Sequence, residues 1–327
     1  MDANSQQSPG GSGPRVSVII PAYNTAHLIA GCLDSVVAQT FRDFEAIVVN
    51  DGSPDTPELE RVLEPYRSRI VYILQENKRA AGARNTAIRA ARGEFLAFLD
   101  SDDRWFPDHL ESQMKLFAED PALDMVYANG LNVGKRLTKS MDVCPSNGPA
   151  TFEALVFERC QVSLSTTVVR KSAIVRAGLF DESIPRCDDY DMWLRAAFYG
   201  AKIGYSRKVQ ARFYMGRPGS LSQSTVKMAE AYWKILESLS RALPLSESDR
   251  SMVGKRIVEA KAAYLLEEGK VQLSERQFDR AQEALAGANQ HFRSPKLTLA
   301  LVGLKVAPST TARLVSLWTR ILERRAG

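Results

Sequence analysis

Apolar positions along the first hundred residues alternate between two periods. RVSVII (15–20) is a β-branched run stopped by Pro21, the pattern of a buried strand that ends in a loop. In AHLIAGCLDSVVAQ (26–39), residues Leu28, Ile29, Cys32, Leu33, Val36 and Val37 fall on one helical stripe. FEAIVV (44–49) reads as a second strand running into the turn-rich NDGSPD, followed by a helix around 57–67 and a strand IVYIL at 70–74. A helix across 80–92 comes next, with Gly93 suited to its C-cap, and then the strand EFLAFL (94–99).

Strands that alternate with helices imply right-handed βαβ units and a parallel sheet, whose ligands sit at the carboxyl ends of the strands. Three polar clusters fall at those ends: PAYN (21–24), NDGSPD (50–55) and DSDD (100–103). From 104 to about 222 the pattern mixes helices with short strands such as LDMVYA (123–128) and STTVVR (165–170), and DDRWFPDHLESQMKLF (102–117) looks like a helix start. Beyond residue 225 the pattern is almost wholly helical. EAKAAYLLEEGKVQLSERQFDRAQEALAGANQ (259–290) reads as a helical hairpin broken near Ser274. The expected organisation is a disordered, Ser/Gly/Gln/Pro-rich tail over 1–14, an α/β domain over 15–224 and a helical region over 225–327.

Composition narrows the picture. A chain of 327 residues with 45% hydrophobic and 25% charged residues suits a soluble globular protein with a sizeable core. The net charge is +5, and basic residues are scattered apart from the terminal LERRAG. That distribution argues against a nucleic-acid partner and leaves an anionic ligand or a membrane surface as the readier counterpart. Cys32, Cys144, Cys160 and Cys187 lie far apart without a C-x-x-C, and the N-terminus lacks a basic-then-apolar signal peptide, so a cytoplasmic location is expected. LTLALVGLKV (297–306) is interrupted by Lys305 and is far shorter than the roughly 20 residues that span a bilayer.

Asp100, Asp102 and Asp103 crowd three carboxylates into four positions at the end of an apolar strand. Such crowding is relieved by a divalent cation, and Mg²⁺ or Mn²⁺ takes oxygen ligands from one or two carboxylates together with substrate phosphates. The competing reading is that these residues cap the next helix. Capping accounts for one of them, Asp103 or Asp108, but not for three.

VSVIIPAYN, AIVVNDGSPD, ENKRAAGARNTAI, ARGEFLAFLDSDDRWFPDHL and DDYDMWLRAAFYG occur in this order, and over about residues 15–222 the chain resembles the family 2 glycosyltransferases. The resemblance implies an α/β fold of GT-A (Rossmann-like) type, a mostly parallel sheet flanked by helices, with a C-terminal α-helical extension. It divides the catalytic domain 15–224 into a nucleotide-binding half (15–103) and an acceptor-binding half (104–224). The implied activity is an inverting transfer of a sugar from a nucleoside-diphosphate sugar, UDP favoured, to a hydroxyl of a glycan or lipid-linked glycan, in polysaccharide or glycoconjugate synthesis. The implied cofactor is a divalent metal, Mn²⁺ or Mg²⁺.

Residue by residue, the resemblance makes DSD the family's D-x-D motif. Asp102 is then the principal metal ligand, with Asp100 and Ser101 beside the donor and Asp100 also near the metal. Pro21, Ala22, Tyr23 and Asn24 correspond to the loop that cradles the nucleoside, and Asp51 to the carboxylate that accepts a hydrogen bond from the base. Arg84 and Arg79 correspond to cations near the base and diphosphate, a task that suits the planar guanidinium; the alternative for each is a solvated helix face. CDDYDMWLR (187–195) resembles the family's E-D motif. Asp189 is then the base that deprotonates the acceptor, Asp188 stands in for the usual Glu, and Asp191 is the local competitor. The plainer alternative is an acidic helix N-terminus beside a buried Trp193.

Three positions depart from the family pattern: Asn50 in place of the first Asp of the common DDGS, Arg79 where Gly is frequent, and Arg217 where His often precedes Pro-Gly-Ser. Arg217 is restricted to contacting phosphate. His27, His109 and His291 match no motif and read as surface or packing residues. A nucleotidyltransferase would show a Gly-rich, Lys-containing loop after the first strand, and PAYNTAHL is not one. A dinucleotide oxidoreductase is disfavoured because GGSG precedes the first strand instead of following it. A non-catalytic sugar-nucleotide-binding or assembly subunit has no need to retain Asp102 and Asp189. The tail LTLALVGLKVAPSTTARLVSLWTRILERR, with Trp318 and terminal Arg, has the composition of an interfacial helix. That composition is compatible with covering the acceptor side, with dimerisation or with peripheral contact at the inner face of the membrane, while ordinary packing against the catalytic domain is the plainer reading.

Overall fold

The computed structural model describes residues 13–133, 146, 150–214 and 224–314. Arg217, Trp318, Cys144 and most of the expected disordered tail lie outside them. The chain forms two compact units, Met1–Pro218 and Gly219–Gly327.

In the first unit, β1 (Val16–Ala22), α1 (Ile29–Val37), β2 (Phe44–Asp51), α2 (Thr56–Leu63), β3 (Ile70–Gln75), α3 (Arg79–Ala90) and β4 (Phe95–Phe98) alternate as the periodicity predicts. They are followed by β5 (Arg104–Trp105), α4 (His109–Glu119), β6 (Met125–Val133), α5 (Phe152–Val156), β7 (Val168–Arg170), α6 (Lys171–Arg176), α7 (Asp188–Phe198) and β8 (Ile203–Tyr214). The sheet order is β3-β2-β1-β4-β7-β6-β8-β5. The four strands from β3 to β4 are parallel. Beyond β4 the sheet becomes mixed: β7 is antiparallel to β4 and β6, β8 is parallel to β6, and β5 is antiparallel to β8. Residues 16–20 are completely buried, as expected for a strand at the centre of a sheet covered on both faces.

Four local expectations are corrected. Strand β1 continues through Pro21, which pairs with Val49. The carbonyl of Ile19 accepts from Leu99, so the missing N–H of Pro21, two residues on, faces the β4 side beyond the last β4 partner, Phe98, and no ladder bond is lost. Helix α3 ends at Ala91, which is extended; Gly93 is required instead because a Cβ there would lie 2.6 Å from the backbone nitrogen of Ser17. Arg104 and Trp105 do not begin a helix but pair with Arg212 and Ala211 of β8, a partner too distant in sequence to be foreseen. Asp103 is accordingly not a helix cap. Asp108 occupies the N-cap position of α4 but makes no capping bond with its side chain, which pairs with Lys208.

The second unit consists of α8 (Thr225–Ala242), α9 (Glu247–Ser274), α10 (Phe278–Phe292) and α11 (Pro295–Val306). Ser224 and Ser246 cap α8 and α9 by accepting from the backbone N–H three residues on. Helices α9 and α10 form the expected hairpin. Gly269 lets them approach closely, since a Cβ there would sit 2.6 Å from Leu285 Cγ. Trp233 stacks on Tyr264 between α8 and α9. Among the described residues no helix is long and apolar enough to cross a membrane.

Candidate active site

The chain runs outward from β1 to β2 and β3, then returns to place β4 on the other side of β1. The carboxyl ends of β1 and β4 therefore flank a topological switch point, where ligands of such sheets bind. Four polar segments and the start of α7 meet there, joined by side-chain bonds that span the sequence.

At the end of β1, Tyr23 is 52% exposed and Asn24 adopts φ 54, a left-handed conformation that Asn tolerates. The Asn24 N–H donates to Ser53 Oγ at 2.6 Å, and the Ala26 N–H to Asp55 Oδ2 at 2.9 Å, which ties this loop to the turn after β2. Ser53 in turn donates to Asp55 Oδ1. Asp51, the last residue of β2, is buried, and its Oδ1 accepts from Gln75 Nε2 at 2.6 Å and from the Lys78 N–H at 2.8 Å. Burial pushes its pKa up against these donors. Gly52 follows at φ 62, where a Cβ would meet the Asn77 nitrogen at 2.8 Å, so the turn admits only glycine. Pro21 and Ala22 form the floor between the two loops, Ala22 fully buried.

Behind this turn, Asn50 donates from Nδ2 to Thr56 Oγ1 and to the Tyr72 hydroxyl, each at 2.9 Å, and accepts the Ser53 N–H at 3.0 Å. The departure from DDGS thus has a local reason. An amide can donate and accept at once, which a carboxylate cannot.

At the end of β4, Ser101 is buried and donates to Thr25 Oγ1 at 3.0 Å. Carboxylate oxygens of Asp100, Asp102 and Asp103 lie within 4.8 Å of one another. Asp103 is buried and accepts from Ser165 Oγ at 2.7 Å; the same oxygen of Ser165 accepts the Asp100 N–H at 3.1 Å. Burial, then the charges of Asp102 and Asp100, hold the Asp103 carboxyl well above the usual range. An all-oxygen donor set of mutually repelling carboxylates is the chemistry that a hard divalent cation satisfies, so these residues fit one.

Arg84 is 6% exposed, with Nη1 at 2.5 Å from Asp188 Oδ2 and Nη2 at 2.9 Å from Asp100 Oδ1. It therefore joins the end of β4 to the first residue of α7. Burial disfavours its charge, but Asp188, Asp100 and Asp189 outweigh that and raise its pKa. Arg79, exposed at the start of α3 with φ 63, carries no ion pair among the described residues.

The three acidic residues of α7 have separate surroundings. Asp188 pairs with Arg84. Asp191 is buried and bound by Arg195 through Nε at 2.9 Å and Nη2 at 2.5 Å. Asp189 is half-buried, and its Oδ1 accepts only the adjacent Tyr190 N–H, at 2.9 Å, among the described hydrogen bonds. Burial, then the charge of Asp188, pushes its pKa up to about 6. Trp193 is 1% exposed and packs edge-on to Phe98 and Phe180 beneath the site. His109 is likewise a packing residue, buried and stacked on Trp105.

Ser165, Thr25, Gln75 and Tyr72 complete the site although no motif singled them out. The polar run Ser165–Thr167, wholly buried beside an apolar strand, was the available signal for the first. A cleft of about 590 Å³ lies at the opposite edge, between α1 and the starts of β2 and β3; the one carboxylate lining it, Glu45, is bound by Arg92.

A sheet with a parallel first half, a mixed second half and acidic residues at the switch point has the architecture of the GT-A class of glycosyltransferase fold. The chain belongs to glycosyl transferase family 2, which its residues 17–165 match. It is 34% identical over 180 residues to the Escherichia coli UDP-Glc:alpha-D-GlcNAc-diphosphoundecaprenol beta-1,3-glucosyltransferase WfgD, covering 55% of this chain and 68% of that protein. It is 31% identical over 188 residues to an uncharacterized glycosyltransferase of Rickettsia felis, covering 56% of this chain but 31% of that relative, so the match spans under a third of the relative's length. The fold is similar to that of S. aureus TarS 1-349 in complex with UDP-GlcNAc, with a TM-score of 0.62 at 19% identity, covering 94% of this chain and 91% of that one. It is also similar to the mannosyltransferase PcManGT from Pyrobaculum calidifontis in complex with GDP-Man and Mn²⁺, with a TM-score of 0.56 at 20% identity, covering 94% and 88%.

Proposed function

We propose that this chain transfers a sugar from a nucleoside-diphosphate sugar, in the first instance a UDP-sugar, to a hydroxyl of a glycan or lipid-linked glycan, with inversion at the anomeric carbon. The observation that carries the reading is Asp189: a half-buried carboxylate that, unlike its two neighbours, has no arginine ion pair among those described, with its pKa pushed up to about 6. A hydroxyl is a weak nucleophile until such a base takes its proton, and a base with a pKa near the working pH does so most effectively.

In this reading Asp189 accepts the acceptor's proton. The freed oxygen attacks the anomeric carbon from the face opposite the diphosphate, and the bond to the diphosphate breaks without a covalent enzyme intermediate. Asp102 and Asp100 would hold Mn²⁺ or Mg²⁺, which would supply positive charge to the departing diphosphate. Asp51 offers an acceptor to an imide N–H of the base, and Tyr23 and Asn24 line the nucleoside. The UDP preference is supported by the UDP-sugars in the names of WfgD and the TarS complex, and PcManGT makes GDP-sugars the comparison to include. The name of WfgD likewise supports a role in polysaccharide or glycoconjugate synthesis on a lipid-linked acceptor. A peripheral contact with the inner membrane surface through α11 is supported by its exposed Leu299, Val302 and Val306. Protein that stays wholly in solution in a flotation assay with anionic vesicles refutes that contact.

The test of the activity is a donor-consumption assay with UDP- and GDP-sugars and a glycan acceptor. Asp189→Asn should lower kcat by about 10²–10⁴-fold, the contribution of a general base. Full transfer by that variant overturns the assignment.

A further inference from the structure

We infer that Arg84 is a positioning residue that fixes the donor side of the site against the acceptor side, and not a cation for the donor's phosphates. The inference rests on the transferase reading above.

Both of its terminal nitrogens are already engaged. Nη1 holds Asp188 at 2.5 Å and Nη2 holds Asp100 at 2.9 Å, while Nε is buried without a partner among the described residues. The guanidinium lies over the Phe180 ring, 5.6 Å from its centroid, in the apolar layer that also contains Trp193. A phosphate ligand wants a cation at the groove surface, and Arg84 is inside the wall.

The helix that carries Arg84 is pinned to the same neighbours. Asn85, the next residue, donates to the Phe180 carbonyl at 2.8 Å and to Glu182 Oε1 at 2.9 Å, and accepts the Phe180 N–H at 3.0 Å. Arg84 and Asn85 together therefore clamp the segment that leads into α7 and the first residue of α7 itself. Asp189 follows Asp188 directly, so the bond from Arg84 to Asp188 sets where the base stands, and its bond to Asp100 refers that position to the end of β4. Asp188 is one methylene shorter than the family's usual Glu, and a two-pronged guanidinium spans what a single ammonium cannot. The same group balances the cluster, because Asp100, Asp188 and Asp189 all act on it electrostatically.

The experiment compares wild type, Arg84→Lys and Arg84→Met in two measurements: UDP affinity by calorimetry, and kcat and KM with UDP-glucose and UDP-N-acetylglucosamine. A positioning residue predicts UDP affinity within about threefold of wild type, donor KM little changed and kcat down by about 100-fold or more in both variants. UDP affinity weakened about tenfold or more, with kcat retained, identifies a phosphate cation and overturns the inference. Arg84→Met leaves buried carboxylates unpaired, so the double variant Arg84→Met/Asp188→Asn serves as the folded control. Its Tm should recover while kcat stays low; recovery of kcat to near the wild-type value means that Arg84 only balances charge, and also overturns the inference. A wild type that consumes no donor refutes the transferase reading, while the UDP affinities still decide whether Arg84 contacts the nucleotide.

Discussion

Ser165 donates its hydroxyl to Asp103 Oδ2 at 2.7 Å while receiving the Asp100 N–H on the same oxygen. One side chain thus connects a buried carboxylate to the backbone of Asp100. Ser165→Ala removes both bonds and leaves Asp103 buried without this donor. The expected loss is about 1–3 kcal/mol, the penalty for stranding a buried polar group, read as a lower Tm. The Trp105 Nε1 bond goes to the Ser165 carbonyl and survives the substitution, so the indole should keep its fluorescence maximum. An unchanged Tm would show that Asp103 does not depend on Ser165.

The proposed role of Asp189 as base predicts a pH dependence of transfer. Its carboxyl has an ordinary value of 3.8 and is pushed up to about 6 by burial and Asp188. In its proposed role as base it is mostly ionised above that value and mostly protonated below it, so kcat should fall as pH drops through about 6. The stability effect has the opposite sense to activity. The unfolded chain loses this proton near 3.8 and the folded chain near 6, so stability falls as pH rises between those values and stays reduced above. Asp189→Asn should therefore be more stable than wild type at pH 7.5, with the gain vanishing below pH 4. Equal Tm values at both pH values would contradict the raised pKa.

Metal binding gives a test that does not depend on turnover. Asp100, Asp102 and Asp103 fit a divalent cation, and a ligand that binds only the folded chain stabilises it by about 2.7 kcal/mol at a hundred times its Kd. Mn²⁺ should therefore raise the Tm of wild type, EDTA should reverse the shift, and Asp102→Asn should abolish it. A Tm indifferent to Mn²⁺ in the presence and absence of UDP argues against a metal site.

The parallel half of the fold was legible because buried strands read as unbroken apolar runs and the polar clusters at their ends fall where such sheets bind ligands. What lay outside local reading had long-range causes. Arg104 and Trp105 look like a helix start until β8, more than a hundred residues on, supplies a strand partner. Asp188, Asp189 and Asp191 are alike as a sequence of acids in a first helical turn. Arg195, four residues after Asp191, was the signal that would have set that carboxylate apart, because residues so spaced meet on one helix face. The burial of Arg84 is foreshadowed only by Ala81, Gly82 and Ala83, small residues that let α3 sit close to its neighbours.

Asn50 yields a prediction that runs against the family pattern. Since DDGS is common, Asn50→Asp looks like a harmless change. Here the amide donates to both Thr56 and Tyr72, and those hydroxyls have other commitments: Thr56 donates to the Ser53 carbonyl at 2.6 Å and Tyr72 to Glu60 at 3.0 Å. A carboxylate keeps the Ser53 N–H but faces two oxygens with no proton to offer it, and it puts a second buried charge beside Asp51. The expected cost is about 1–3 kcal/mol at neutral pH, easing in acid as the new carboxyl regains a proton to donate. Because Ser53 also receives the Asn24 N–H, the distortion should pass to the loop after β1, proposed above to line the nucleoside, and weaken UDP binding by about tenfold, or ~1.4 kcal/mol. Adding Tyr72→Phe removes one of the conflicting oxygens, so the double variant should lose less stability than the sum of the two single changes. Strict additivity would mean that Asn50 and Tyr72 act independently, and that the network behind the turn after β2 does not couple them.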